Sequence, residues 1–79
     1  MQSNILLKKI ISSNIDSIGY DNSMNILLVE FKTGVLYQYE NISSELYESL
    51  LNAKSIGKFF ASNIKGKYPY KEVKINVEQ

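Results

Sequence analysis

The sequence contains no histidine, cysteine, arginine or tryptophan, and only one proline. Each absence closes a class of chemistry. Without histidine the usual general base near neutral pH is missing. Without cysteine there is no thiolate nucleophile, no disulfide and no Cys/His zinc site. Without arginine, phosphate cannot be clamped by a planar bidentate donor, which argues against sequence-specific reading of a duplex. An enzyme built from this chain would have to work with Asp, Glu, Lys, Ser and Tyr, so a non-enzymatic binding domain is expected, with no cofactor. No run of about 18 apolar residues exists to span a membrane. The apolar stretch Ile5-Leu6-Leu7 is broken by Lys8 and Lys9 and does not read as a signal peptide.

What is present suits one small folded domain. The chain has 79 residues, 44% hydrophobic and 22% charged, with net charge +1. That is too apolar and too weakly charged for a disordered chain. A core this small is marginal, and assembly into a homo-oligomer is one way to stabilise it. Isoleucine, asparagine, lysine and tyrosine are abundant while arginine is missing. This bias fits an AT-rich genome, and the expected location is the cytoplasm of a bacterial host cell.

Hydrophobic periodicity predicts an α+β fold, an antiparallel three-stranded meander, open to extension by terminal strands, followed by two short helices packed on one face. The strands are read at Ile15–Tyr20, Ile26–Phe31 and Val35–Glu40. The Lys32-Thr33-Gly34 turn sets the register of the last two. A three-residue loop with Gly34 left-handed pairs Phe31 with Val35 and puts Leu27, Val29, Phe31, Val35, Tyr37 and Tyr39 on one face. The opposite face is half apolar and has room for a chain terminus or another subunit. Leu46, Tyr47, Leu50, Leu51 and Ala53 then form a helical stripe, capped by Ser43 or Ser44. A second helix starts near Ser55, buries Ile56, Phe59, Phe60 and Ile64, and ends at Gly66 before Pro69. Alternation resumes from Lys71, with Val73, Ile75 and Val77 on one side, as an edge strand or frayed tail. Asp21, Ser23 and Asn25 have the spacing of a calcium loop's first ligands. Ile26 stands where that loop needs glycine, so they read as an ordinary turn.

Charge is unevenly distributed. From Ser12 to Ala53 there are six acidic residues against one lysine, and from Lys54 to Lys74 six lysines against one acid, with Tyr68 and Tyr70 interleaved. Lysine neutralises phosphate and tyrosine stacks on a base, so the basic half suits a phosphate-bearing ligand. A solvated helix face explains the same lysines. Ser55, Gly57 and Lys58 at a helix start form a candidate anion seat, against which stands a plain cap with a packing glycine. Tyr37 and Tyr39 form a candidate stacking platform, against which stands core packing.

The chain resembles the KTSC domain family over about Ser13 to Tyr68. The carriers are Ile18-Gly19-Tyr20-Asp21, Leu27-x-Val29-x-Phe31, Gly34-x-x-Tyr37-x-Tyr39, Ala53-x-Ser55-x-Gly57-Lys58-x-Phe60 and Ile64-Lys65-x-x-Tyr68. The family is named for a domain at the C-terminus of some lysyl-tRNA synthetases and also occurs as stand-alone bacterial and phage proteins. On this reading residues 1–12 are an N-terminal extension, 13–68 the domain, and 69–79 a tail or edge strand. The resemblance implies an RNA- or nucleotide-binding role and strengthens Tyr37, Tyr39, Ser55, Gly57 and Lys58 as ligand contacts. Lys54, Lys65 and Tyr68 complete the expected ligand-binding set. Two alternatives stand beside it: phage-encoded sequestration of a small nucleotide immune signal, and a module that binds a protein partner.

Overall fold

The computed structural model describes residues 6–73. Five strands form one antiparallel sheet in sequential order: β1 (Lys8–Lys9), β2 (Ile15–Asp21), β3 (Ile26–Phe31), β4 (Leu36–Tyr39) and β5 (Tyr70–Val73). Helices α1 (Ser44–Leu51) and α2 (Ile56–Asn63) lie between β4 and β5 in the chain. The expectation of three strands is therefore corrected to five. The added strands sit at the two edges, where Lys8 pairs with Ile18 and Tyr70 with Tyr39. β1 is only two residues long, and β5 opens beside a proline. β1 has no alternation to announce it, whereas β5 opens the stretch whose alternation from Lys71 allows an edge strand; both form because β2 and β4 offer unpaired backbone groups. Of the alternating tail, Val73 lies in β5, while Ile75 and Val77 fall outside the described residues.

The central hairpin follows the register that burial demanded. Val29 pairs with Tyr37 and Leu27 with Tyr39. The Phe31 N–H donates to the Val35 carbonyl at 2.9 Å, and the Gly34 N–H to the Phe31 carbonyl at 2.9 Å. Gly34 has φ +96°. A side chain there meets no neighbour, so its cost is conformational alone. Replacing Gly34 by alanine is expected to destabilise the fold by about 1–2 kcal/mol. Urea unfolding would register this as a lower midpoint; an unchanged midpoint would contradict the turn geometry.

The helices cover the face that carries Leu27 and Val29. Ile15, Ile18, Leu27, Val29, Tyr39, Ile42, Leu50, Phe60 and Ile64 form its buried core. Ile15 joins Ile18 on this face despite their odd spacing because β2 bulges: Ile15 faces Phe31, whereas Ser17 faces Glu30. Ser43 caps α1 and Ser55 caps α2, each hydroxyl accepting an N–H three residues on, at 3.1 and 3.3 Å. On the opposite face the buried Ser17 hydroxyl donates to Glu30 at 3.0 Å, beside an ion pair of Lys9 and Asp16 at 2.8 Å. The Asp21 carboxylate accepts both the N–H and the hydroxyl of Ser23, at 2.9 and 2.7 Å, and so serves the β2–β3 turn.

Candidate functional site

Tyr37 and Tyr39 point to the helix face of β4, two residues apart as strand geometry requires. β5 adds Tyr70 beside them, because Tyr39 and Tyr70 are directly paired. The three rings form one cluster. Tyr70 lies over Tyr39 with centroids 5.4 Å apart and planes at 26°, and meets Tyr37 edge-on at 5.6 Å and 78°. Beneath them Phe60 packs edge-on against Tyr39 at 5.2 Å, and Phe31 against Tyr37 at 5.8 Å. Tyr39 is the inner member, 4% exposed, while Tyr70 is 57% exposed.

These rings wall a cleft of about 470 Å³, a volume in the range of small-molecule sites. Phe31, Thr33 and Val35 form its hairpin side, Lys65 and Gly66 close it beyond the end of α2, and Asn14 completes the rim. Gly66 has φ +79°, the left-handed turn that ends the helix and turns the chain toward β5. The Asn14 carbonyl accepts the Lys32 N–H at 2.9 Å, tying that rim to the hairpin. Burial pushes the Tyr39 phenol above its ordinary range, with Tyr70 and Tyr37 adding to the shift. The Tyr39 hydroxyl is therefore a neutral group at the inner end of the wall, and Lys65 lies on the rim.

Of the expected ligand-binding residues, the cleft gathers Tyr37, Tyr39 and Lys65. The others lie elsewhere. Lys54 and Lys58 are exposed around the start of α2, and Tyr68 is half-buried against the core. The Ser55 hydroxyl accepts the Lys58 N–H, so a donor expected for an anion seat is already engaged by the cap. Gly57 is a point of close packing: a Cβ there would come within 2.9 Å of Asn14 Oδ1 and 3.0 Å of Ser12 Oγ. Sequence reasoning left Asn14, Phe31, Thr33, Val35, Gly66 and Tyr70 out of the site. For Tyr70 a signal was present, since it repeats the spacing of Tyr68 in a basic stretch. For Asn14 there was none, because its place depends on the hairpin and α2 together.

A second, wider cleft of about 600 Å³ lies on the other flank of the helix face, lined by Leu6, Lys8, Tyr20, Asp21, Asn22, Ser44, Tyr47 and Glu48. Tyr20 and Tyr47 stack there at 4.5 Å and 13°. The Tyr20 hydroxyl donates to the Ile42 carbonyl at 2.6 Å and so is committed to the fold. Its pKa is raised by burial and then by the carboxylates of Glu45 and Asp21. Asp21 and Glu48 line this cleft together with Lys8, whereas the tyrosine–lysine cleft has Lys65 and, among the described residues, no carboxylate in its lining.

Comparison with known proteins places this architecture. The family model of the KTSC domain matches residues 11–68. An uncharacterized protein of Stutzerimonas stutzeri is 47% identical over 49 residues, which are 62% of this chain and 69% of that one. A lysine–tRNA ligase of Trichormus variabilis is 34% identical over 61 residues, 77% of this chain but 11% of the ligase. The crystal structure of a KTSC domain protein from Yersinia pestis superposes with a TM-score of 0.86 at 31% identity, covering 90% of this chain and 100% of that one.

Proposed function

Because this chain belongs to the KTSC domain family, we propose that it is a non-enzymatic binding domain. Its ligand is a nucleotide-type anion, either free or as one unit of single-stranded RNA. The reading is carried by the cleft itself: three tyrosine rings, one of them largely exposed, stand beside the Lys65 ammonium. A base stacked on Tyr70 and a phosphate near Lys65 would meet the two kinds of contact that single-strand binders use. The remaining lysines of the basic half, such as Lys67 and Lys71, lie outside the cleft lining and are exposed to a longer anionic strand. Resemblance to a segment of lysine–tRNA ligases is compatible with an RNA ligand. Sequestration of a small nucleotide signal would use the same cleft, with the free nucleotide as its occupant.

Titration of the protein with oligouridylate and with single mononucleotides, from about 25 to about 200 mM salt, tests this and separates the two sources. Affinity that rises with strand length and falls with salt identifies RNA. Affinity that is complete with a single nucleotide identifies the small ligand. Lys65→Ala is expected to weaken binding several-fold and to reduce the salt slope by about one ion. Absence of binding to every probe at the lowest salt would sink the proposal.

A further inference from the structure

Helix α2 presents one face to solvent, and that face is cationic at both ends. Lys58, Ala61, Ser62 and Lys65 are all exposed and follow the i, i+3, i+4, i+7 spacing of a single helical face. Lys65 stands just past the helix, where the Ile64 N–H still donates to the Phe60 carbonyl at 3.0 Å and so carries the turn on. Lys54, also exposed, comes immediately before the Ser55 cap. No acid occurs in the sequence between Lys54 and Lys71. Among the described residues no carboxylate pairs with Lys54, Lys58 or Lys65, and the ion pair that does form joins Lys9 to Asp16. Helix stability does not account for this arrangement. The start of a helix is its positive end, where a carboxylate is favoured and a lysine is not. α1 conforms, with Glu45 in its first turn. α2 has no acid in its first turn and carries Lys58 there instead. An anion laid along this face would meet the lysines and the positive end of the helix together.

We propose that this face is a track for a single-stranded polynucleotide, which leaves the tyrosine–lysine cleft at Lys65 and runs toward the start of α2. The proposal rests on the cleft holding one nucleotide unit. Lys65 belongs to both surfaces, since it lines the cleft and ends the face. At about 1.5 Å of rise per residue, Lys58 stands about 10 Å from Lys65 along the helix, so phosphates at the two lysines belong to different nucleotides. Ala61 and Ser62 between them are short and leave the strand room to lie close to the helix. Lysines meet the backbone and not the base edges, so the track adds affinity and salt dependence without sequence preference. The occupant is a strand and not a free nucleotide.

Hexauridylate and uridine 5′-monophosphate, titrated against the same variants, separate the track from the cleft. The wild-type protein is expected to bind the hexamer more tightly, with a log–log salt slope of about −2 or steeper, from about −0.7 for each of Lys54, Lys58 and Lys65. Lys58→Ala and Lys54→Ala should each reduce that slope by about 0.7 and weaken the hexamer several-fold, with affinity for the monophosphate unchanged. Ser62→Glu sets a carboxylate between Lys58 and Lys65 at an exposed helical position, and should weaken the hexamer more than either. Lys8→Ala removes an equal charge from the flank lined by Asp21 and Glu48, and should change neither affinity. All these positions are exposed, and urea unfolding checks that each variant keeps its fold. A hexamer bound no more tightly than the monophosphate would overturn the track and leave the cleft standing. So would a hexamer affinity and slope that Lys58→Ala and Ser62→Glu leave unchanged. No binding of either probe would remove both.

Discussion

Replacing Phe60 by alanine is expected to remove a large part of the stability of the fold. Phe60 is 2% exposed, meets Tyr39 edge-on at 5.2 Å and Phe31 at 5.8 Å, and is the one fully buried residue of α2. Truncating a buried phenylalanine costs about 3–5 kcal/mol. A domain of this length has roughly 4–12 kcal/mol in total. The loss therefore takes most or all of the margin at the lower end and about a quarter or more at the upper. No disulfide is available to hold the remainder. Urea unfolding followed by far-ultraviolet circular dichroism would show a strongly lowered midpoint or a chain already unfolded in buffer. A midpoint close to that of the parent protein would mean that α2 is not packed on the sheet through this ring. Phe59, its half-buried neighbour in the helix, provides the control: its truncation should cost less, since less apolar surface returns to water.

The second large effect is on binding and spares the fold. Tyr70→Ala removes the outer ring of the aromatic wall, 57% exposed and stacked over Tyr39. The strand that carries it is joined to β4 through its backbone, with Gln38 paired to Lys71 and Leu36 to Val73, so the sheet does not depend on this side chain. Stacking of one base on an aromatic ring is worth about 1–3 kcal/mol. Affinity for oligouridylate or the better mononucleotide should fall by about tenfold to a hundredfold, against a stability change under about 1 kcal/mol. Full affinity retained in a folded Tyr70→Ala protein would move the binding site away from this cleft. Phe60→Ala and Tyr70→Ala thus separate the packing beneath the aromatic wall from the exposed ring of the wall itself. The first acts through unfolding, the second through contact with the ligand.

Much of this architecture is written locally. The alternation of Leu27, Val29 and Phe31 against Val35, Tyr37 and Tyr39 leaves one register that buries a single face, and Gly34 supplies the backbone conformation that register needs. Ser43 and Ser55 announce their helices because a hydroxyl before an apolar stripe satisfies an N–H that the helix itself cannot. The missing imidazole, thiol and guanidinium limited the chemistry before any fold was known. Of the two edge strands, β1 was not legible in this way, and β5 only as an alternation that fits an edge strand or a frayed tail alike. Strand pairing at Lys8–Lys9 and Tyr70–Val73 depends on what lies alongside, and a pattern of two or four residues carries no period of its own. The bulge that brings Ile15 back to the core is likewise a property of two strands together.

The opening absences therefore decided what this protein can contain, and the local periodicities decided its central hairpin and helices. Both follow from single residues or from neighbours a few positions apart. Only the tertiary structure decided which of the tyrosines and lysines share a cleft. It brought Tyr37, Tyr39 and Lys65 together, added Tyr70 and Asn14, and left Lys54, Lys58 and Tyr68 elsewhere. It also gave Gly57 a meaning different from the anion seat suggested by Ser55-x-Gly57-Lys58, because the space over that glycine is filled by Asn14 from the other end of the domain. The physical reason is that a cleft is made by side chains from distant segments, and their meeting is set by sheet pairing and helix packing, which no local spacing records.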